Sequence, residues 1–341
     1  MIGDGNRRAW SWILGTALAV VLLYFSLRGV EWKRVWQIIA GARWRFLAAA
    51  CGIMCCALLL RSLRWRILLN AEASLSVGTV FRATMAGYLG NSFLPARAGE
   101  LVRTVIISSR SSLSKTYVLT TALSERLMDV IALVLWSSVI LLAVDPKPRW
   151  MEDLSRTTAV VAAAGALAIA ALPHTGGLCR NLFLHIPLPT ALRDRLLLLV
   201  DEVLLGVRAF HHVGRFLGFA ALTVVVWTAD ACGTMLGARA LGLHVSFTVA
   251  MLLLTALGLG SALPSTPGYV GIYQFVAVTV LVPFGISRDA ALAYILMAQA
   301  LAYTVMLVVG LPCLYALRTA GVSSILVRRS LPDPDSRESS H

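Results

Sequence analysis

Acidic residues are scarce in this chain. Seventeen Asp and Glu stand against 30 Lys and Arg in 341 residues, and all charged residues together make up 14% of the composition. With 58% hydrophobic residues and a mean hydropathy of +0.78, that scarcity excludes an ordinary soluble domain, in which about a quarter of residues are charged. Also lacking are a hydrophilic stretch long enough for a sizeable soluble domain and a glycine-rich ATP-binding motif. The six cysteines, at positions 51, 55, 56, 179, 232 and 313, include no C-x-x-C pair, and five lie in apolar runs where cysteine serves as a small hydrophobe. The six histidines have no ligand spacing. No disulfide, metal site or cofactor is expected.

What is present is a series of apolar segments. At about 20 residues per span, the length accommodates roughly six to eight of them. The formal charge of +13 is spread between these segments and forms no single basic surface, so it points to topology and to anionic lipid headgroups, not to nucleic acid. Full spans are predicted over about 10–27, 46–60, 117–144, 157–172, 216–241 and 290–316. The first is read as retained, because no small-x-small cleavage site follows it. Residues 31–45, with Trp32, Trp36 and Trp44 among basic residues, suit an interfacial amphipathic helix. A hydrophilic loop occupies about 173–215, and 319–341 form a short polar tail.

Two further segments, about 77–115 and 247–284, are hydrophobic at both ends and broken in the middle. The first contains Leu94-Pro95-Ala96-Arg97-Ala98-Gly99 and the second Leu263-Pro264-Ser265-Thr266-Pro267-Gly268, each soon after a Leu-Gly pair. Proline removes a backbone donor, and an interrupted helix leaves backbone groups unpaired that the bilayer core cannot satisfy. Such breaks are tolerated where they line a cavity, and a matched pair points to a transporter's binding site. The predicted fold is an all-α polytopic membrane protein, a single membrane domain over 1–318. It has about six full transmembrane helices plus two re-entrant broken hairpins, eight hydrophobic segments consistent with an inverted repeat.

With cytoplasmic termini, the basic cluster at 61–66, the 173–215 loop and Arg328-Arg329 fall inside and the neutral 145–156 loop outside, as the positive-inside rule asks. Residues 28–45 disagree, being basic yet external. In this topology the first hairpin dips in from the cytoplasm and the second from the opposite side.

The first break carries Arg97, Glu100 and Arg103 at three-residue spacing. Arginine forks suit phosphate oxygens, and the amides of a helix beginning near Gly99 add positive potential, so these residues with Asn91 read as a headgroup cradle. An internal salt bridge is the alternative. Glu125, Arg126 and Asp129 put two carboxylates on one face of the following helix; they serve in gating or binding, or lie solvated near the inner interface. Asp230 sits mid-span and needs a partner on another helix or a proton; an arginine of the first hairpin is the expected partner. No charge occurs from Thr248 to Ser287. There Pro264, Ser265, Pro267, Gly268, Tyr273 and Gln274 form a neutral wall of the path, or pack helices together. Arg61, Arg64 and Trp65 read as an interfacial anchor.

Taken in order, Arg61-x-x-Arg64-Trp65, then Gly90-Asn91-x-x-Leu94-Pro95-x-Arg97-x-Gly99-Glu100-x-x-Arg103, Glu125-Arg126-x-x-Asp129 and Leu263-Pro264-x-x-Pro267-Gly268-x-x-Gly271 resemble the lysylphosphatidylglycerol synthase transmembrane, flippase-like family over about residues 10–318. In the multiple-peptide-resistance members the corresponding domain moves aminoacylated phosphatidylglycerol between leaflets, while a soluble domain charges the lipid. Only 23 residues follow Arg318, so that synthase reaction is not expected here. The resemblance implies a translocase of the bacterial cytoplasmic membrane, not an enzyme. Its substrate would be a phospholipid or a polyprenyl-phosphate-linked lipid. The alternative is a membrane-embedded transferase or an accessory factor of a lipid-linked glycan or cell-envelope lipid pathway.

Overall fold

A computed structural model describes residues 20–93, 98–143, 212–261 and 267–330, with isolated positions at 160, 163 and 167. Among these the chain is helical throughout: α1 (20–27), α2 (Trp32–Ala40), α3 (Trp44–Leu69), α4 (Val77–Phe93), α5 (Gly99–Ser108), α6 (Lys115–Ala143), α7 (Val213–Ala240), α8 (Phe247–Gly260), α9 (Ile272–Leu281) and α10 (Arg288–Ser330). The start of the first span, the 145–156 loop, most of the 157–172 span and the 173–211 part of the loop fall outside the described residues. So do Arg97, Pro264 and Ser265.

Local sequence sets the helix starts. Ser76, Ser114, Ser246 and Ser287 each accept a hydrogen bond from the amide three residues on, at 3.1 to 3.3 Å, satisfying one of the donors that a helix N-terminus leaves open. Among the described residues, three helices are long and apolar enough to cross a membrane: α3, α7 and the Arg288–Arg318 part of α10. Only 22 to 28% of their most apolar windows is buried within the protein, so most of that surface needs an apolar solvent. The protein is thus a multi-pass membrane protein. The α10 helix continues to Ser330, beyond the boundary expected at 318.

Each of the two broken segments contains a pair of short helices. In the first, α4 and α5 are 17 and 10 residues long, each shorter than a span. They run antiparallel, with Gly87 facing Arg103 and Gly90 facing Gly99. A Cβ on Gly99 would overlap the carbonyl oxygen of Gly87, so glycine is what lets these backbones touch. The second segment comprises α8, a 3-10 turn at Pro267–Tyr269 and α9.

Contacts order the ends of the bundle. The α3 and α7 helices run antiparallel, with Arg64 bonded to Thr223, Arg61 to Asp230 and the Arg43 amide to the Ala240 carbonyl. At one end Arg288 donates to the carbonyls of Phe25 and Arg28. At the other, Tyr117 donates to the Leu68 carbonyl and Arg110 to that of Leu317. The α4–α5 segment therefore starts and finishes at the Leu68 end, and the α8–α9 segment at the Arg288 end. One apolar core joins α7, α8, α9 and α10, with Val35 of α2. A second joins the Leu69 end of α3 with α4, α5 and the start of α6.

Candidate functional site

Beside the first of these cores lies a cavity of about 440 Å³ walled by α3, α4, α6, α7, α8, α9, α10 and the 3-10 turn. Its size falls within the range of small-molecule sites. Asn91 and Ser92 of the first broken segment and Ser261, Tyr269 and Tyr273 of the second all line it, so both segments border one space.

One side of that space is an ion-pair network. Arg64 on α3 donates from both terminal nitrogens to Asp129, at 2.5 and 2.8 Å, and from Nη2 to Glu125 at 2.9 Å. Glu125 also accepts from Arg103 Nη1 at 3.0 Å. Glu100 meets Arg103 Nε at 2.5 Å and Arg126 Nε at 3.0 Å, and Arg126 Nη1 lies 3.9 Å from Asp129. Adjacent to these, Arg61 pairs with Asp230 through both terminal nitrogens. Four arginines thus face four carboxylates.

Each guanidinium also lies against an aromatic ring: Arg61 on Trp227 at 5.8 Å, Arg64 on Phe219 at 5.0 Å, Arg103 on Trp65 at 4.4 Å and Arg126 on Tyr88 at 5.7 Å to the centroid. A carboxylate at the edge and a ring on the face satisfy the planar cation in surroundings with little water.

Several expectations are corrected here. Arg64 is 1% and Trp65 0% exposed, so they are no interfacial anchor; the carboxylates of Glu125 and Asp129 draw the arginine inward. Glu125, 2% exposed, is interior and not solvated. Asp230 finds its partner on α3, not on the first hairpin, because antiparallel packing brings Arg61 opposite it. Arg103 is committed to Glu100 and Glu125 and is not free for a headgroup. The Asn91 side chain accepts the Gly99 amide at 2.9 Å, so it caps α5 and occupies one of the amides expected to attract an anion. Among the described residues, the cations that keep exposure at the cavity are Arg126 and Arg61, with 27% and 18% of their side chains accessible.

The neutral wall is bonded just as fully. Gln274 accepts from the Gly271 amide at 2.7 Å and donates to Gln299 at 2.6 Å. Gln299 and Tyr303 both donate to the Gly268 carbonyl, at 3.1 and 2.7 Å, and Tyr269 stacks on Tyr273 at 4.9 Å. The Gly268 turn has φ +73°, which favours glycine. Trp227, Gln299 and Tyr303 were not singled out in the sequence. A lone polar residue inside an apolar span is the signal that Gln299 offers.

A UPF0104 membrane protein of Pyrococcus horikoshii is 23% identical over 325 residues, covering 87% of this chain and 93% of that protein. No solved structure matches the chain. The family model described as the lysylphosphatidylglycerol synthase TM region matches residues 12–310, and the chain belongs to that family.

Proposed function

We propose that this protein is a lipid translocase of the bacterial cytoplasmic membrane, moving a phospholipid or a polyprenyl-phosphate-linked lipid between leaflets. The observation that supports this reading most is the single cavity shared by two broken segments whose outer ends lie at opposite ends of the bundle. A headgroup in that cavity meets Arg61 and Arg126, while the apolar outer faces of α3, α7 and α10 leave the acyl or prenyl chains in the bilayer. The two segments, re-entrant from opposite sides, then open in turn.

Group transfer by Glu125 and Asp129 is the rival. Both carboxylates are held by Arg64, which leaves their oxygens engaged within the protein and not free to meet a substrate as acid and base.

Purified protein in liposomes with leaflet-resolved fluorescent phospholipid tests the proposal. Exchange that depends on the protein and is lost in the Arg61→Gln/Arg126→Gln double variant is expected. Unchanged exchange in that variant would remove the arginines from the path, and a labelled lipid converted to a new product without exchange would support transfer.

A further inference from the structure

Among the described residues, four charged side chains line the cavity: Arg61, Arg126, Asp129 and Asp230. Their charges sum to zero. A phosphate diester entering this space adds a negative charge to a balanced enclosure, so a carboxylate must yield or a positive charge must accompany the ligand.

The two carboxylates are held unequally. Asp129 accepts both terminal nitrogens of Arg64 and the indole N–H of Trp227 at 3.2 Å. Asp230, among the described residues, has Arg61 alone, and Arg61 has no other carboxylate within ion-pair distance. Both members of this pair keep accessible surface, 18% and 16% of their side chains.

We infer that Asp230 is an exchangeable counterion: the phosphate of the lipid takes its place on Arg61, and Asp230 takes up one proton. The inference rests on the translocase reading. A phosphate offers the guanidinium fork the same paired geometry as a carboxylate. A carboxylate left without its cation in a largely apolar wall favours the neutral form. The ligand brings one negative charge, the proton one positive charge, and the cavity stays neutral; no covalent bond changes.

The other titratable groups on the wall do not compete for that proton. Arg126 on α6 is a guanidinium that already carries its proton, and Tyr88, Tyr269, Tyr273 and Tyr294 offer hydroxyl groups and not carboxylates. Asp129 keeps Arg64. Binding of an anionic headgroup is therefore coupled to protons through Asp230.

The test uses the full chain in detergent micelles and dihexanoyl phosphatidylglycerol, a soluble phosphodiester that does not itself titrate near neutrality. Calorimetry in two buffers of different ionisation enthalpy counts the protons taken up. In the wild type uptake of one proton per lipid is expected, with affinity falling about tenfold per pH unit wherever that proton is taken up. Asp230→Asn removes the competing carboxylate, so it is expected to bind about tenfold or more tightly at the alkaline end and with no proton uptake.

Wild-type binding without proton uptake overturns the exchange and leaves the cavity reading standing. An Asp230→Asn variant that binds more weakly, or keeps the wild-type pH slope, overturns it as well. Absence of any lipid binding overturns both. Dimethyl phosphate serves as the free anion: binding as tight as that of the lipid would keep the exchange and remove the lipid as its source. The wild-type proton count stands whether or not the variant folds.

Discussion

Arg64 on α3 grips Asp129 on α6 with both terminal nitrogens, at 2.5 and 2.8 Å, while the same guanidinium reaches Glu125 one turn away. Removing one partner of a buried ion pair costs about 3 to 5 kcal/mol, because the remaining charge has nowhere to go. Arg64→Ala is expected to lose that amount and to show it as a large drop in the unfolding temperature in detergent. Arg64→Lys supplies one point charge where a fork served two carboxylates, so it should fall between the two. An unfolding temperature unchanged in Arg64→Ala would mean that the network contributes nothing to the fold.

The approach of α4 to α5 makes a second prediction. Gly99 has the Gly87 carbonyl and the Asn91 side chain where a Cβ would stand. Gly99→Ala must push the two helices apart, at about 1 to 3 kcal/mol. Gly52, on the exposed face of α3 with nothing within 4 Å, is the control; there alanine should be neutral or stabilising by up to about 1 kcal/mol. Equal effects at the two sites would show that the close approach is not what fixes glycine at 99.

The shortness of α4, α5, α8 and α9 was legible in the sequence because its signals are local. Proline and glycine interrupt apolar runs at Pro95 and Gly99 and again at Pro267 and Gly268, and the bounds 77–115 and 247–284 enclose the observed helices. The charge network was only half legible. Glu125 and Asp129 share a face at four-residue spacing, which any helix imposes. Arg64 lies 61 residues before Glu125 and Arg61 169 before Asp230, and no local pattern joins such pairs. A basic and aromatic cluster near the end of an apolar run has the same composition whether it meets headgroups or folds inward against carboxylates. Burial of Arg64 was decided by the antiparallel meeting of α3 and α7 and by the approach of α6, which is tertiary information.

Opposite ends of the bundle also make opposite sides of the membrane testable. Ser74 precedes α4 at the Leu68 end and Ser287 precedes α10 at the Arg288 end, and both are exposed. In a background lacking the native cysteines, Ser74→Cys and Ser287→Cys should react with an impermeant thiol reagent from opposite faces of sealed vesicles. Labelling of both from one face would remove the alternating arrangement proposed for the two segments.

The neutral break stands on Gln299. Its side chain links the Gly268 carbonyl to Gln274, which in turn accepts the Gly271 amide. Gln299→Leu leaves the Gln274 amide without this acceptor and takes one of two donors from Gly268, and a buried polar group left unpaired costs about 1 to 3 kcal/mol. Tyr303→Phe removes only the second donor to Gly268, so its effect should be smaller, about 1 kcal/mol or less. Gly268→Ala should exceed both, since its φ of +73° disfavours a side chain and a Cβ there would run into the Tyr303 hydroxyl. Because this turn forms part of the cavity wall, the order Gly268→Ala, Gln299→Leu, Tyr303→Phe should hold for leaflet exchange as well as for thermal unfolding. Exchange that is intact in Gly268→Ala would separate the turn from the lipid path and leave it a purely structural joint.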